Sequence, residues 1–153
     1  EIETIIARSA HILDVTIDIS GIREIARRSR FTPRTANRLL KRCRDFAEVH
    51  ERQLDASVVT EALELLGIDS LGLDDRDRQI LITIIDTFHG GPVGLKTIAA
   101  ALSEEERTIE DVHEPFLIQA GLIERTPRGR SVTHRGYEHV GKVPQSGSSH
   151  TLL

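Results

Sequence analysis

The sequence predicts a mainly α-helical chain in two parts: a four-helix bundle, then three helices closed by a small β-hairpin. Three observations carry this. Apolar residues recur at helical spacing in one segment after another, with short breaks between them. Residues 67–73, Gly-Ile-Asp-Ser-Leu-Gly-Leu, place two glycines between two such runs and mark the boundary of the parts. Strand-like segments occur on either side of Pro127-Arg128-Gly129, a hairpin turn.

Ile2, Ile5, Ile6, Ser9, Ile12 and Leu13 form the apolar stripe of the first helix, which Asp-Val-Thr-Ile-Asp-Ile-Ser-Gly interrupts. A short second helix covers about 20–29, with Ile22, Ile25 and Ala26 inward. The third begins at a strong signal, an N-cap hydroxyl on Thr32 followed by proline at the first helical position. It runs to about His50, with Ala36, Leu39, Leu40, Cys43, Phe46 and Ala47 on one face. The fourth spans about 56–66 and is closed by Gly67. Short connections between four helices make a bundle.

In the second part, residues 74–88 are helical, with Ile80, Leu81, Ile84, Ile85 and Phe88 inward. Gly-Gly-Pro-Val-Gly breaks that helix. Residues 95–102 form a short helix, and 108–120 another, with Thr108 and Asp111 as a capping arrangement and Gly121 as its end. Residues 122–126 and 130–133 are the two strands. Three helices and then a hairpin is the order of a winged helix. The expected domains are a bundle at 1–67, a linker at 68–71, a winged-helix domain at 72–141 and a patternless, disordered tail at 142–153.

Bulk composition narrows the classes. Of the 153 residues 39% are hydrophobic but only 3% aromatic, so both cores must be built from Ile, Leu, Val and Ala. The one cysteine, Cys43, excludes an internal disulfide and fits a reducing cytoplasm. No apolar run approaches the roughly 18 residues of a membrane span. The chain contains no Met and opens inside a helical pattern, so it reads as a piece of a longer protein.

The net charge of −4 hides a division: residues 1–67 are neutral, 68–124 carry 4 basic and 12 acidic side chains, and 125–153 carry 5 basic and 1 acidic. Two basic clusters stand out. The stretch 27–44 holds Arg27, Arg28, Arg30, Arg34, Arg38, Lys41, Arg42 and Arg44 with no acid. Most of these read as a solvated helix face. Arg34 differs, because it lies in the first turn of a helix, where the positive dipole end opposes it and free N–H groups favour an anion. An incoming phosphate would relieve that arrangement. The second cluster is Arg-Thr-Pro-Arg-Gly-Arg at 125–130, with Arg125 and Arg130 flanking the turn and Arg128 at its tip. The preceding helix carries Glu110, Asp111 and Glu114, just after Glu104–Glu106. Those carboxylates would face phosphates, so a groove-reading helix is disfavoured and the wing must make any DNA contact. Three phosphate contacts give a salt slope of only about −2.7, which is weak, sequence-blind binding unless several copies act together.

Other chemistry is absent from the pattern. Gly-Gly-Pro-Val-Gly-Leu-Lys-Thr at 90–97 approaches a phosphate-binding loop, but Leu95 separates Gly94 from Lys96 and a helix precedes it. The histidines, His134 and His139 among them, lack ligand spacing, so no metal site is expected.

The stretches 28–49 (RSRFTPRTANRLLKRCRDFAEV), 90–130 (GGPVGLKTIAAALSEEERTIEDVHEPFLIQAGLIERTPRGR) and 135–141 (RGYEHVG) together resemble the RuvB family of bacterial Holliday-junction branch-migration ATPases, of the AAA+ class. The resemblance extends nearly to Gly141. It implies that 1–67 is the AAA+ lid and 72–141 the winged-helix domain, and that the large ATPase domain, which holds most of the ATP and Mg site, lies elsewhere. The piece alone would then be inactive as an ATPase or helicase. By the match to the family's TPR-x-ANR pattern, Arg34 is the sensor arginine that reaches the terminal phosphate of ATP. By the match to RTPRGR, Arg125 and Arg130 contact the DNA backbone, with Arg128 close by. The implied partners are Holliday-junction arms, RuvA, RuvC and five further copies in a hexamer, in the bacterial cytoplasm. One departure stands out: the family usually has glycine where this chain has Phe31. The rival readings are a winged-helix transcription regulator, which needs a basic recognition helix, and a protein-interaction module, in which Arg125 and Arg130 make internal salt bridges.

Overall fold

The computed structural model describes residues 1–145 and divides into two compact units, Glu1–Asp75 and a second that begins at Arg76. The first holds α1 (Ile2–Ile12), α2 (Ile19–Arg27), α3 (Pro33–Val49) and α4 (Ala56–Leu65). Each start after the first is fixed by a side-chain cap, because the first N–H groups of a helix have no partner within it. Asp18 accepts from the Gly21 amide at 2.9 Å, Thr32 from Thr35 at 3.2 Å, and Asp55 from Val58 at 2.9 Å. The Ser20 hydroxyl and then the Gly21 amide hold the Asp18 carboxyl below the usual carboxylate range.

The apolar stripes meet in one core, with Ile6, Ile25, Leu39, Leu40, Val59 and Leu63 fully enclosed. Cys43 lies in it, and burial pushes its thiol up to about 12. It is therefore packing material and not a reactive thiol. The segment expected as a linker is fastened to this unit. Ile68 packs against the core, its carbonyl accepts from Arg28 Nη1 at 3.3 Å, and the Asp69 carboxylate accepts from the Leu71 and Leu73 amides, each at 3.0 Å.

The second unit holds most of α5 (Asp75–Phe88), then α6 (Leu95–Leu102), α7 (Glu106–Thr108), a π-helical stretch (Ile109–His113), α8 (Glu114–Gln119), β1 (Ile123–Thr126), β2 (Gly129–Val132) and α9 (His134–His139). Ile80, Leu81, Ile84, Ile98, Leu117 and Leu122 are among its fully buried side chains. The helix expected at 108–120 needs correcting. It begins earlier, at Glu106, Thr108 makes no capping hydrogen bond, and its middle is π-helical. Pro115 accounts for the irregularity: it has no N–H to donate and its ring would collide with the carbonyl one turn back, so the backbone widens ahead of it.

A buried polar pair also joins two elements. Asp77 on α5 accepts from or donates to His113 Nδ1 at 2.7 Å, and neither side chain is more than 7% exposed. Of the tail expected from Lys142, residues 146–153 lie outside the described residues. Lys142 itself is held: its amide donates to the Tyr137 carbonyl at 2.9 Å and its Nζ pairs with Asp86 at 3.2 Å. Among the described residues no helix is long and apolar enough to cross a membrane.

Candidate nucleic-acid interface and candidate phosphate-binding arginine

The wing is an antiparallel pair in which Ile123 faces Val132, Glu124 faces Ser131, Arg125 faces Arg130 and Thr126 faces Gly129. Only Pro127 and Arg128 remain in the loop. Thr126 locks the tip, since its hydroxyl donates to the Gly129 carbonyl at 3.0 Å and accepts from the Arg128 amide at 3.2 Å. The Gly-Gly-Pro-Val-Gly segment is more than a helix breaker. Val93 pairs antiparallel with Arg130, through amide-to-carbonyl bonds of 3.0 and 2.8 Å. It supplies a third strand position to the sheet. That contact explains two glycines. A Cβ on Gly129, at φ +130°, would lie 2.4 Å from the Val93 carbonyl oxygen, and one on Gly91, at φ +90°, would lie 2.3 Å from the Arg130 carbonyl oxygen.

The three wing arginines are not equivalent. Arg128 is exposed at the tip. Arg125 is 59% exposed and stands 3.8 Å from Glu114 and 4.0 Å from Glu110. Arg130 is buried, and its guanidinium grips the Glu114 carboxylate through two bonds, Nε to Oε2 at 2.9 Å and Nη2 to Oε1 at 3.1 Å. Glu114 corrects the sequence reading, which grouped it with Glu110 and Asp111 as an acid facing outward. It is 3% exposed and lies under the hairpin. The remaining acids of that helix, Glu105, Glu106, Glu110 and Asp111, are exposed, so this face still repels phosphate.

In the first unit the arginines of the 27–44 cluster divide as well. Arg27 and Arg28 both bind Glu24, and Arg44 pairs with Asp45 at 3.0 Å. Arg34 is exposed at the second position of α3, with no ion pair among the described residues. Arg38 and Arg42, one and two turns further along, line a hollow of about 260 Å³.

The turn before α3 has a backbone that favours the glycine the resemblance implies in place of Phe31. Phe31 sits at φ +59°, after Arg30 at φ +57°. Both are left-handed conformations, which crowd a Cβ and favour glycine. Phe31 is also 54% exposed. Phe31→Gly is expected to stabilise the first unit by about 1 kcal/mol. A urea melt followed by helical circular dichroism checks this; an unchanged or lower midpoint would contradict it.

The family model for the RuvB AAA lid domain matches residues 1–69, and that for the RuvB C-terminal winged helix domain matches residues 70–141. The Holliday junction branch migration complex subunit RuvB of Limosilactobacillus reuteri is 56% identical over 92% of this chain, which spans 42% of that protein. The solved structure of the Thermotoga maritima RuvB Holliday junction branch migration motor superposes with a TM-score of 0.90 at 46% identity, over 94% of this chain and 48% of that one. Point variants of the same Thermotoga protein match at 46–47% identity with a TM-score of 0.91. The chain thus spans less than half the length of these relatives. Lid and wing both match along their whole extent, and the chain belongs to the RuvB family.

Proposed function

We propose that this chain is the lid and DNA-contacting wing of an ATP-driven Holliday-junction branch-migration motor. Arg34 meets the terminal phosphate of ATP, and Arg125, Arg128 and Arg130 form the wing's contact with the DNA backbone. The observation that carries the DNA half is the separation of charge on the second unit: exposed arginines at the hairpin tip, exposed carboxylates on the helix that would otherwise enter the groove. Backbone contacts position without reading sequence, which suits a motor that must travel along any duplex.

For the nucleotide half, the support is an arginine with no ion pair among the described residues at the start of a 17-residue helix, where the helix dipole favours an anion. One arginine is not a nucleotide pocket. ATP and Mg would be held mainly outside this chain, where bound nucleotide supplies the energy for translocation, and the chain by itself would not turn over ATP. Assembly as a hexamer, loading by RuvA, cooperation with RuvC and a cytoplasmic location belong to the same reading.

The interaction-module alternative is favoured by the internal ion pairs of both arginines it names, Arg130 with Glu114 at 2.9 Å and Arg125 with Glu114 and Glu110 at 3.8 and 4.0 Å. The two readings part on Arg125 and Arg128, which are exposed and can be changed without opening a buried ion pair. Changing both to Ala should weaken binding to duplexes of unrelated sequence alike, and make the salt slope shallower by about 1.8 for two lost phosphate contacts. Fluorescence anisotropy across a salt series measures both. Duplex binding that ignores the two changes would sink the wing assignment, and a loss confined to one sequence would favour the regulator.

A further inference from the structure

We infer that Glu114 is a positioning residue for phosphate contact by the wing, an inference that rests on the proposed DNA role of the hairpin. Arg125 and Arg130 are direct cross-strand neighbours. Like charges so placed repel one another and splay the hairpin. Glu114 removes that repulsion. Its carboxylate binds Arg130 bidentately at 2.9 and 3.1 Å and lies 3.8 Å from Arg125 Nη1. The arrangement is asymmetric, with one arginine fixed in place and the other left 59% exposed.

The backbone is built to deliver this carboxylate. Glu114 follows directly on the π-helical stretch Ile109–His113. A regular helix would place it on the outward face with Glu110. A π turn inserts one extra residue, which rotates everything after it by roughly 100°. Glu114 thereby leaves the acidic face and turns beneath the wing.

A carboxylate under a phosphate-binding surface has two opposite effects. Its charge repels phosphate. Its two bonds also hold the Arg130 guanidinium in one orientation and, through the shared carboxylate, set the spacing to Arg125. The second effect prevails, so that Arg130 holds one orientation beside the exposed Arg125 when the wing meets the backbone.

The sign of one variant decides. Glu114→Gln keeps the size and an acceptor oxygen for Arg130 but removes the charge. Electrostatics alone predicts tighter DNA binding. Positioning predicts weaker binding, by about threefold to tenfold for one side chain that must now be ordered on association. In an Arg130→Ala background the guanidinium that Glu114 holds by hydrogen bonds is gone, so the same Glu114→Gln change should tighten binding or leave it unaltered. This reversal, read by anisotropy of the 153-residue chain with a mixed-sequence duplex at low salt, is the expected result. Glu114→Gln binding as tightly as the parent or tighter would overturn the inference.

Should the variants melt too low to compare, the Arg130 Nε–H resonance of the parent provides the second readout. It should stay bonded to Glu114 in the DNA complex, and its release on DNA addition would overturn the inference. The two layers fail separately. A parent chain that binds no duplex sinks the wing reading and this inference with it. A parent that loses DNA with Arg125→Ala/Arg128→Ala yet ignores Glu114→Gln sinks only the inference.

Discussion

Gly129→Ala should destabilise the second unit by about 3 kcal/mol or more, the sum of a strained backbone and a contact the fold cannot relieve cheaply. The residue lies at φ +130°, and its Cβ would come within 2.4 Å of the Val93 carbonyl oxygen and 2.9 Å of the Gly94 nitrogen. Those neighbours are backbone, so no side chain can swing aside. Separation would stretch the two hydrogen bonds between Val93 and Arg130, at 3.0 and 2.8 Å, and so detach the third strand position from the wing. Gly94→Ala is the control. It has an ordinary φ of −70° and nothing within 4 Å of the added carbon, so its effect should stay within about 1 kcal/mol, the scale of replacing a glycine N-cap by alanine. Chemical denaturation of both variants beside the parent measures the contrast. Similar midpoints for the two would mean that the close approach of Val93 to the turn does not hold the wing together.

Arg34→Ala, in the intact protein that carries this chain, should lower ATP turnover by about 100-fold, the scale of removing one preorganised donor from a transferring phosphoryl group. Folding should be spared. Arg34 is exposed and opposes the dipole of its own helix, so the change should be neutral or slightly stabilising, by about 0.3–1 kcal/mol. Turnover, nucleotide affinity and a thermal melt together separate a phosphate contact from a structural role. Normal turnover with normal affinity would remove Arg34 from the nucleotide site. Arg38→Ala serves as a neighbouring exposed cation on the same helix and should change turnover far less.

What the sequence made legible follows from locality. Helix starts and stripes depend on residues a few positions apart, and the expected elements of the first unit match those observed to within a residue or two at their ends, down to the Thr32 cap and the proline after it. The hairpin was legible for the same reason. The features that escaped depend on partners distant along the chain. Nothing near Gly90–Gly94 announces that Val93 will pair with Arg130. The inward turn of Glu114 follows from a π stretch that periodicity cannot express, although Pro115 inside a supposed helix was a visible warning. Asp77 could have been found. It occupies the same stripe as Ile80, Leu81 and Ile84, and an acid there must be buried with a partner, which turns out to be His113 at 2.7 Å. At Phe31 the resemblance to a family located the departure, and the backbone angle explains it.

The central claim is that the hairpin tip, and not the acidic helix before it, meets DNA without reading sequence. The most direct test is a residue-resolved NMR titration of the isotope-labelled chain with two duplexes of unrelated sequence at low salt. Shifts concentrated at residues 125–130, nearly identical for the two duplexes, with Glu105, Glu106 and Asp111 unmoved, are expected. Shifts centred on that acidic helix, or a response to one duplex alone, would contradict it.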